Sequence, residues 1–418
     1  MTVPGRIGAT GWMALVTCAL ALSACSTPAP QPSHPSHPSQ APPQRTPTSQ
    51  APAGQEAPPP LTFPQLEGVY QQPGRMFVVT YQGWWLDLTS QQIRQLTPST
   101  GGTFTYGPGW QDPAPAQGQL HFSTNAAGTP VRVTGLGPGG VPVDATRLPV
   151  TQRDARITSQ GAVLAGTLTI PPGPGPHPGI VILEGSGALD RHFESISQEI
   201  YLSLGFAVLA FDKRGVAAST GLFPGELATP ASIGIQATDA VAAARFLMSQ
   251  PGIDARQVGF DANSQGGWVA PLAAERLPRL RFAILIASPA VTTDQQGLYA
   301  SYSDGSQYVP TQSDRAIDAA VRATSGGYDP APALAALHIP AIWIYGQLDR
   351  QVPVRLCVAT LAAYHNQDWT VVVLPGGSHG LIATRHGLNS ELTGATRFAP
   401  GYFAAVRAWV AAHITFPG

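Results

Sequence analysis

The chain has 418 residues, of which 45 are glycine and 42 are proline, and only 11% are charged. Its formal net charge of −1 leaves no broad positive surface, so we expect no nucleic-acid partner. With 43% hydrophobic residues the chain can bury a core, and its single lysine, Lys213, belongs neither to a phosphate-binding loop nor to an S-x-x-K pair.

The first residues have the pattern of an export signal. The apolar stretch at residues 11–22 is too short to span a bilayer, which takes about 20 residues, but it suits the core of a signal peptide. It ends in the sequence L-S-A-C at residues 22–25, which resembles the bacterial lipobox. That resemblance implies removal of residues 1–24 and lipid attachment to Cys25. We expect an exported protein anchored by lipid to the cell envelope, on its periplasmic or extracellular face, with ordinary secretion as the alternative.

Residues 25–62 are rich in proline, serine and glutamine and show no periodicity, which predicts an extended linker. Two of the three cysteines lie in or before this segment. Cys18 would be removed with the signal peptide, and Cys25 would carry the lipid. Cys357 is then alone, so we expect no disulfide partner and interpret it as a small buried residue.

Residues 63–150 contain short runs of aromatic and β-branched residues separated by glycine, proline and asparagine, which predicts a small all-β domain. We interpret its tryptophans, Trp84, Trp85 and Trp110, as core rather than as a ligand platform. Residues 135–140 fit G-x-G-x-x-G, but the sequence after them cannot open a helix. They therefore predict a glycine-rich turn rather than a dinucleotide site.

Residues 151–418 alternate between apolar strands and helices, which predicts a buried, mostly parallel sheet with flanking helices. We predict strands at 179–184, 206–212, 257–261, 282–287, 341–346 and 370–375, and helices at 232–249, 264–275 and 402–413. Residues 288–338 form an insertion with one amphipathic helix, at 313–324, and are expected to be a small cap.

A strand-to-helix junction carries the candidate nucleophile, Ser264. The sequence A-N-S-Q-G at residues 262–266 matches the nucleophile elbow G-x-S-x-G, except that Ala262 replaces the first glycine. A literal match surrounds Ser378, but no aspartate follows it and the next residues are a poor helix. In this architecture the nucleophile precedes the acid, which precedes the histidine, so the order favours Ser264.

The partners of Ser264 are expected at the ends of the last two predicted strands. Asp349 follows the strand at 341–346, and His379 follows the strand at 370–375. Asp349 would orient His379, which would take the proton of Ser264 as a general base. His386 is the competing histidine.

The oxyanion that forms during acyl transfer needs two backbone N–H donors. One is expected from Gln265, directly after the nucleophile, and the other from Ser186 or Gly187, where glycines let the backbone approach a substrate. The sequence leaves open which of the two donates. No H-E-x-x-H motif or Cys/His cluster is present, so we expect no metal and no cofactor.

These motifs, from about residue 155 to residue 415, resemble the α/β-hydrolase superfamily. G-S-G-x-x-D-R at 185–191 and D-K-R-G at 212–215 are similar to its bacterial serine esterase branch, whose members often carry a β-rich N-terminal region. The resemblance implies an α/β-hydrolase fold and a serine hydrolase that cleaves a small-molecule carboxylic ester through an acyl-enzyme. Lys213 lies inside the second motif, where it would stabilise a turn, form a salt bridge or line the entrance.

Two other functions remain open. A serine peptidase or aminoacyl hydrolase of the same fold is the first, although its usual partner domain is a propeller of seven or eight blades, too large for residues 63–150. A catalytically inert envelope-binding protein is the second, although such proteins usually lose a member of the triad.

Overall fold

The computed structural model describes residues 60–416. The predicted signal peptide, Cys25 and all but the last residues of the predicted linker lie outside the described residues. None of the helices between residues 60 and 416 is both long and apolar enough to cross a membrane.

The N-terminal region forms a closed antiparallel barrel of eight strands, in which each strand pairs with the next and the first pairs with the last. A short helix, α1 (Phe63–Leu66), precedes it. The barrel strands are β1 (Gly68–Gln72), β2 (Arg75–Val79), β3 (Trp84–Asp87), β4 (Ile93–Pro98), β5 (Thr103–Tyr106), β6 (Gly118–Thr124), β7 (Pro130–Gly137) and β8 (Val141–Arg147). The glycine-rich segment at 135–140 ends β7 and turns into β8, as expected for a turn.

Residues of the barrel strands alternate between its interior and its exterior. The side chains that point inward are largely aromatic and fill the barrel. The largest fully buried rings include Tyr70, Phe77, Trp85, Phe104 and Phe122. Phe77 stacks on Trp85 with ring centroids 4.7 Å apart. The tryptophans thus belong to packed clusters, as the sequence interpretation favoured.

The C-terminal region contains a mixed eight-stranded sheet, which confirms that a β-rich region precedes an α/β domain. Its strands are β9 (Thr151–Ser159), β10 (Ala162–Ile170), β11 (His177–Leu183), β12 (Ala207–Phe211), β13 (Ile253–Asn263), β14 (Phe282–Ile286), β15 (Ala341–Gly346) and β16 (Trp369–Leu374). Their order is β16-β15-β14-β13-β11-β12-β10-β9. All neighbours from β12 to β16 are parallel, and β10 is antiparallel to both β12 and β9.

The β9–β10 hairpin is an element that the sequence prediction did not include. Strand β9 lies at the edge of the sheet and is mostly polar and exposed, so it lacks the apolar run that marks the inner strands. Gln160 and Gly161 both have positive φ, which is the conformation of a two-residue hairpin turn.

Helices cover both faces of the sheet, which explains why β12, β14 and β15 are buried at every position. The flanking helices are α2 (Ser195–Ser203), α3 (Pro230–Met248), α4 (Gly266–Arg276), α8 (Val354–Ala362) and α9 (Tyr402–His413). The insertion carries α5 (Thr293–Ser301), α6 (Asp314–Ala323) and α7 (Ala331–Ala335), whereas the sequence predicted one helix there.

The barrel packs directly on the sheet domain, and the described residues, 60–416, lie in one compact unit. Apolar residues on its exterior, such as Val78 and Leu86, share a core with Ile180 and other residues of the sheet. Its backbone also bonds to the segment at 381–398, which we call the strap. Three of these bonds are Ile93 N to Thr396 O at 2.9 Å, Phe398 N to Gln91 O at 2.9 Å and Trp110 N to Ala395 O at 2.6 Å.

Candidate active site

Ser264 occupies a tight turn between β13 and α4. Its φ of +49° lies in the left-handed region, which residues other than glycine rarely adopt. The turn is held by hydrogen bonds from Ser264 N to Ile286 O at 2.9 Å and from Gly267 N to Ser264 O at 2.8 Å. Such a turn projects the side chain beyond the sheet edge, as in a nucleophile elbow.

Close packing around the turn explains its small residues. A Cβ on Gly266 would lie 2.6 Å from Leu183 O, so the start of α4 passes β11 too closely for any side chain. Ala262 is 0% exposed and pairs with Leu183 and Leu285 on the neighbouring strands. Its methyl group fits there, so the departure from glycine is accommodated.

The structure brings Ser264, His379 and Asp349 into one chain of hydrogen bonds. Ser264 Oγ lies 3.1 Å from His379 Nε2, and His379 Nδ1 lies 2.8 Å from Asp349 Oδ2. The other carboxylate oxygen, Oδ1, accepts hydrogen bonds from Gln351 N and Val352 N, each at 2.8 Å. The Asp349 carboxylate is therefore buried and fully oriented, while His379 keeps a side-chain exposure of 19%.

The surroundings of His379 favour its protonated form. Burial lowers the pKa of the imidazole, but the Asp349 carboxylate and then Glu194 raise it, and the result is a pKa above the usual 6.5. A raised pKa makes the imidazole a stronger base toward the hydroxyl proton of Ser264.

Two cap residues on α5 support the Asp349 loop. Tyr299 donates its hydroxyl to Asp349 O at 2.9 Å, and Gln296 Nε2 donates to Gln351 O at 2.7 Å. Sequence reasoning missed both, because they belong to no motif and lie far from Asp349 in the chain. They connect the cap to the orientation of the acid.

The two competing residues lie elsewhere. Ser378 is 4% exposed, and its Oγ has no hydrogen-bond partner among residues 60–416. His386 has a side-chain exposure of 58% and pairs with Glu391 at 2.9 Å. Neither residue is hydrogen-bonded to the Ser264 side chain, whose imidazole partner is His379.

The loop that carries the predicted oxyanion donors lies against Ser264. A Cβ on Gly185 would be 3.4 Å from Ser264 Cβ. Ser186 is exposed and Gly187 has a φ of +101°, so the loop turns at the rim of the site. On the other side, Gln265 directly precedes α4, and the N–H groups of Gly267 and Trp268 in the first turn donate to Ser264 O and Gln265 O.

Lys213 is a residue for which the sequence left three roles open: stabilising a turn, forming a salt bridge or lining the entrance. It is 8% exposed, and its Nζ donates to the carbonyls of Gly185 and Gly187. The signal in the sequence was the presence of two motifs, G-S-G-x-x-D-R and D-K-R-G, each directly after a strand. These strands, β11 and β12, are neighbours in the sheet, so the two motifs are in contact. Arg191 N and Arg191 Nη2 donate to the Asp212 carboxylate at 3.0 and 2.8 Å.

Two further acids with raised pKa values also escaped the sequence prediction: Asp261, which is fully buried, and Glu194, which is partly exposed. Asp261 accepts hydrogen bonds from Tyr201 Oη at 2.7 Å and from Asn263 Nδ2 at 2.9 Å, and burial raises its pKa to about 6. Burial, followed by repulsion from Asp261, raises the pKa of Glu194 to about 7. The signal available for Asp261 was its place as the one charged residue in the run V-G-F-D-A at 258–262.

Cys357 is buried inside the sheet domain, where its Sγ accepts a hydrogen bond from Ala290 N at 3.3 Å. Burial raises the pKa of the thiol to about 12, so it is not a reactive thiolate. Across residues 60–416 no group of three or more His, Cys, Asp or Glu side chains is arranged to hold a metal ion.

A strained serine between strand and helix, hydrogen-bonded to a histidine that is held by a buried aspartate, defines a serine hydrolase of the α/β fold. The chain belongs to the prolyl oligopeptidase family, since the profile of that family matches residues 192–405, just over half of the chain. The matched segment contains Ser264, Asp349 and His379. The resemblance to the α/β-hydrolase superfamily is confirmed by this membership.

A comparison with curated proteins found no match. Among solved structures, the Pyrococcus furiosus esterase Pf2001 is 17% identical, covering 64% of this chain and 94% of its own, with a TM-score of 0.45. A dienelactone hydrolase from Anabaena variabilis is also 17% identical, covering 64% of this chain and 99% of its own, with a TM-score of 0.42.

Proposed function

We propose that the protein hydrolyses carboxylic esters through an acyl-enzyme on Ser264. The observation that carries the proposal is the hydrogen-bond chain from Ser264 Oγ through His379 to Asp349. Ser264 attacks the ester carbonyl while His379 Nε2 takes its proton, and the buried Asp349 stabilises the resulting imidazolium.

The remaining steps follow from the same groups. His379 returns its proton to the leaving alcohol as the C–O bond breaks, which leaves the acyl group on Ser264. Water then attacks the acyl-enzyme with His379 again as base, and the acid leaves as Ser264 regains its proton. We assign the oxyanion to the N–H of Gln265 together with an N–H of the loop at 184–191.

Peptide or aminoacyl bond cleavage is the second candidate, and membership of the prolyl oligopeptidase family favours it. Two observations support an ester instead. The region before the sheet domain is an eight-stranded barrel rather than a multi-bladed propeller, and the cap is limited to three short helices. We therefore propose a small-molecule ester, rather than a peptide, as the substrate.

The test compares the parent protein with Ser264→Ala, and uses Ser378→Ala as a matched control for the literal G-x-S-x-G sequence. We expect Ser264→Ala to lose roughly 10³-fold or more of p-nitrophenyl ester turnover and all labelling by a fluorophosphonate. Ser378→Ala should keep both.

Three results would contradict the proposal. Undiminished ester turnover in Ser264→Ala overturns the nucleophile. Faster turnover of peptide p-nitroanilides than of p-nitrophenyl esters favours the peptidase. Absence of fluorophosphonate labelling in the parent protein favours an inert binding protein.

We also propose that the enzyme acts outside the cytoplasm on a lipid tether. The lipobox-like sequence at residues 22–25 and the proline-rich segment that follows it support this location. At about 3 Å per residue in an extended conformation, such a linker holds the catalytic domain well away from the membrane surface.

A further inference from the structure

The only lysine of the chain is buried beside the loop that faces the nucleophile. Its Nζ donates to Gly187 O at 2.9 Å and also to Gly185 O. An ammonium group has three donors and no acceptor, so two backbone carbonyls are suitable buried partners for it. Both acceptors belong to the loop, and Lys213 therefore bonds to the turn on each side of Ser186.

These contacts determine the direction of a backbone N–H. In a trans peptide the C=O and the N–H point to opposite sides of the bond. Because the Gly185 carbonyl points to Lys213, the N–H of the same peptide, which belongs to Ser186, points away from Lys213. Gly185 itself packs against Ser264, since a Cβ on it would lie 3.4 Å from Ser264 Cβ.

The loop needs such a tether because its residues restrain it poorly. Gly185 and Gly187 flank Ser186, and glycine has the largest conformational freedom of any residue. The far end of the loop is held separately, by Arg191 and its ion pair with Asp212 at 2.8 Å. Without Lys213 the Gly185–Ser186 peptide would lose the side-chain donor to its carbonyl.

We propose that Lys213 is a positioning residue that fixes the Gly185–Ser186 peptide so that the Ser186 N–H serves as the second oxyanion donor. The proposal rests on Ser264 being the nucleophile, and it selects Ser186 over Gly187. A donor that is aligned before the reaction stabilises the transition state without reorganisation, and a misplaced donor forfeits most of that effect.

Three carboxyl groups face the ammonium from the surrounding elements: Glu184 at the end of β11, Glu226 on the loop before α3 and Glu194 beside α2. Burial lowers the pKa of Lys213 to about 8, although these carboxylates oppose the change. The protonated ammonium is the stronger donor, so kcat should fall as the pH rises through this value.

Steady-state kinetics on three variants of the full-length protein test the role. Lys213→Met keeps the volume of the side chain but removes all donors, and should lower kcat roughly 10- to 100-fold with KM within about threefold of the parent value. Lys213→Gln restores a neutral donor and should recover part of kcat. In both variants, kcat should no longer fall as the pH rises through the pKa of Lys213.

Arg214→Met is the matched control. It removes the neighbouring, partly buried cation, whose ion pair is with Asp239 on α3 at 2.5 Å and not with the loop. Arg214→Met should lower the thermal stability, but its kcat should depend on pH as in the parent protein. A merely structural role for Lys213 would give Lys213→Met that same behaviour.

A spectroscopic measurement avoids the variants altogether. With one lysine in the sequence, [¹³C-ε]lysine labelling gives a single side-chain resonance. We expect it to titrate near pH 8 and to shift when Ser264 is phosphonylated. Titration near the ordinary value of about 10.4, with no response to phosphonylation, overturns the proposal.

The two failures are distinguishable. Parent-like ester turnover in Ser264→Ala overturns the proposed function. Parent-like kcat and pH profile in Lys213→Met, with Ser264→Ala inactive, overturn only the role of Lys213.

Discussion

Asp349 and His379 combine strong burial with full hydrogen bonding. A buried carboxylate is costly unless its oxygens are satisfied, and Asp349 meets this requirement with two backbone N–H groups and the imidazole. The arrangement keeps Asp349 a fixed acceptor. It also determines the tautomer of His379 that leaves Nε2 free to accept from Ser264.

The raised pKa of His379 has a direct consequence for activity. Protonated His379 cannot accept the Ser264 proton, so kcat/KM should fall as the pH is lowered through a value above 6.5. Asp349→Asn removes the carboxylate, which should shift this fall to lower pH and reduce kcat on the order of 10³- to 10⁴-fold. Ester turnover across a pH series measures both.

Asp254→Asn is the control, because Asp254 pairs with the exposed Arg256 and lies at the end of β13 away from Ser264. Its profile should match that of the parent protein. A kcat of Asp349→Asn within about threefold of the parent would exclude Asp349 as the residue that orients His379.

At the scale of elements, the barrel and the strap form one structure. The strap follows His379 directly, and several of its backbone groups bond to the barrel rather than to the sheet. Gln82, in the turn after β2, makes a comparable contact near the oxyanion loop, where its Nε2 donates to His192 O at 2.8 Å and its Oε1 accepts from Ser195 Oγ at 2.6 Å. The barrel thus braces the segments that follow His379 and the G-S-G-x-x-D-R loop.

Arg94 tests this bracing, because its buried Nη1 donates to Ile93 O at 2.7 Å and to Thr396 O at 2.8 Å. Arg94→Met removes two hydrogen bonds from a charged donor, although Thr396 O keeps Ile93 N, and it should lower the free energy of unfolding by about 1–3 kcal/mol. Denaturant unfolding measures the loss, and hydrogen exchange should report faster opening of the strap.

Arg132→Met provides a matched control on the same barrel. Arg132 pairs with Asp144, and their side chains are 53% and 61% exposed, so its loss should cost little stability. Equal effects of the two substitutions would mean that the contact of Arg94 with the strap contributes nothing specific.

For the whole molecule, the composition divides by region. Proline, serine, glutamine and alanine dominate residues 26–59, whereas the apolar residues that build the cores lie after this segment. A lipid on Cys25, a long linker and a compact catalytic unit would together restrict the enzyme to a shell around the envelope surface without limiting its rotation.

Cys25→Ser should abolish lipid attachment and move the protein from the membrane fraction to the soluble fraction, with ester turnover per molecule unchanged. Ultracentrifugation of a lysate from a bacterial host detects the change of fraction. The mass of the N-terminal peptide detects the loss of the lipid. Cys18→Ser is the control, since Cys18 would leave with the signal and should not affect sorting. If Cys25→Ser sediments with the membranes to the same extent as the parent protein, the lipid on Cys25 is not the anchor.

The sequence by itself determined the inner strands, the main helices and the residues of the site that follow strand ends. Long apolar runs mark strands buried on both faces, and parallel strands deliver their carboxyl ends to a single edge. Ser264, Asp349 and His379 could therefore be selected together. Ala262 did not obscure the elbow, because alanine is small enough for the same packing.

Only the tertiary structure decided what depends on contacts between distant segments. Barrel closure pairs β1 with β8, the β9–β10 hairpin has a polar edge strand, and α5 supports Asp349 through Tyr299. Barrel closure and the Tyr299 contact have no local periodic signal, and in β9 the alternation of buried and exposed residues is limited to its last five positions. The same holds for Lys213: the sequence shows one lysine in a motif, and the fold turns that lysine toward the carbonyls of the loop beside Ser264.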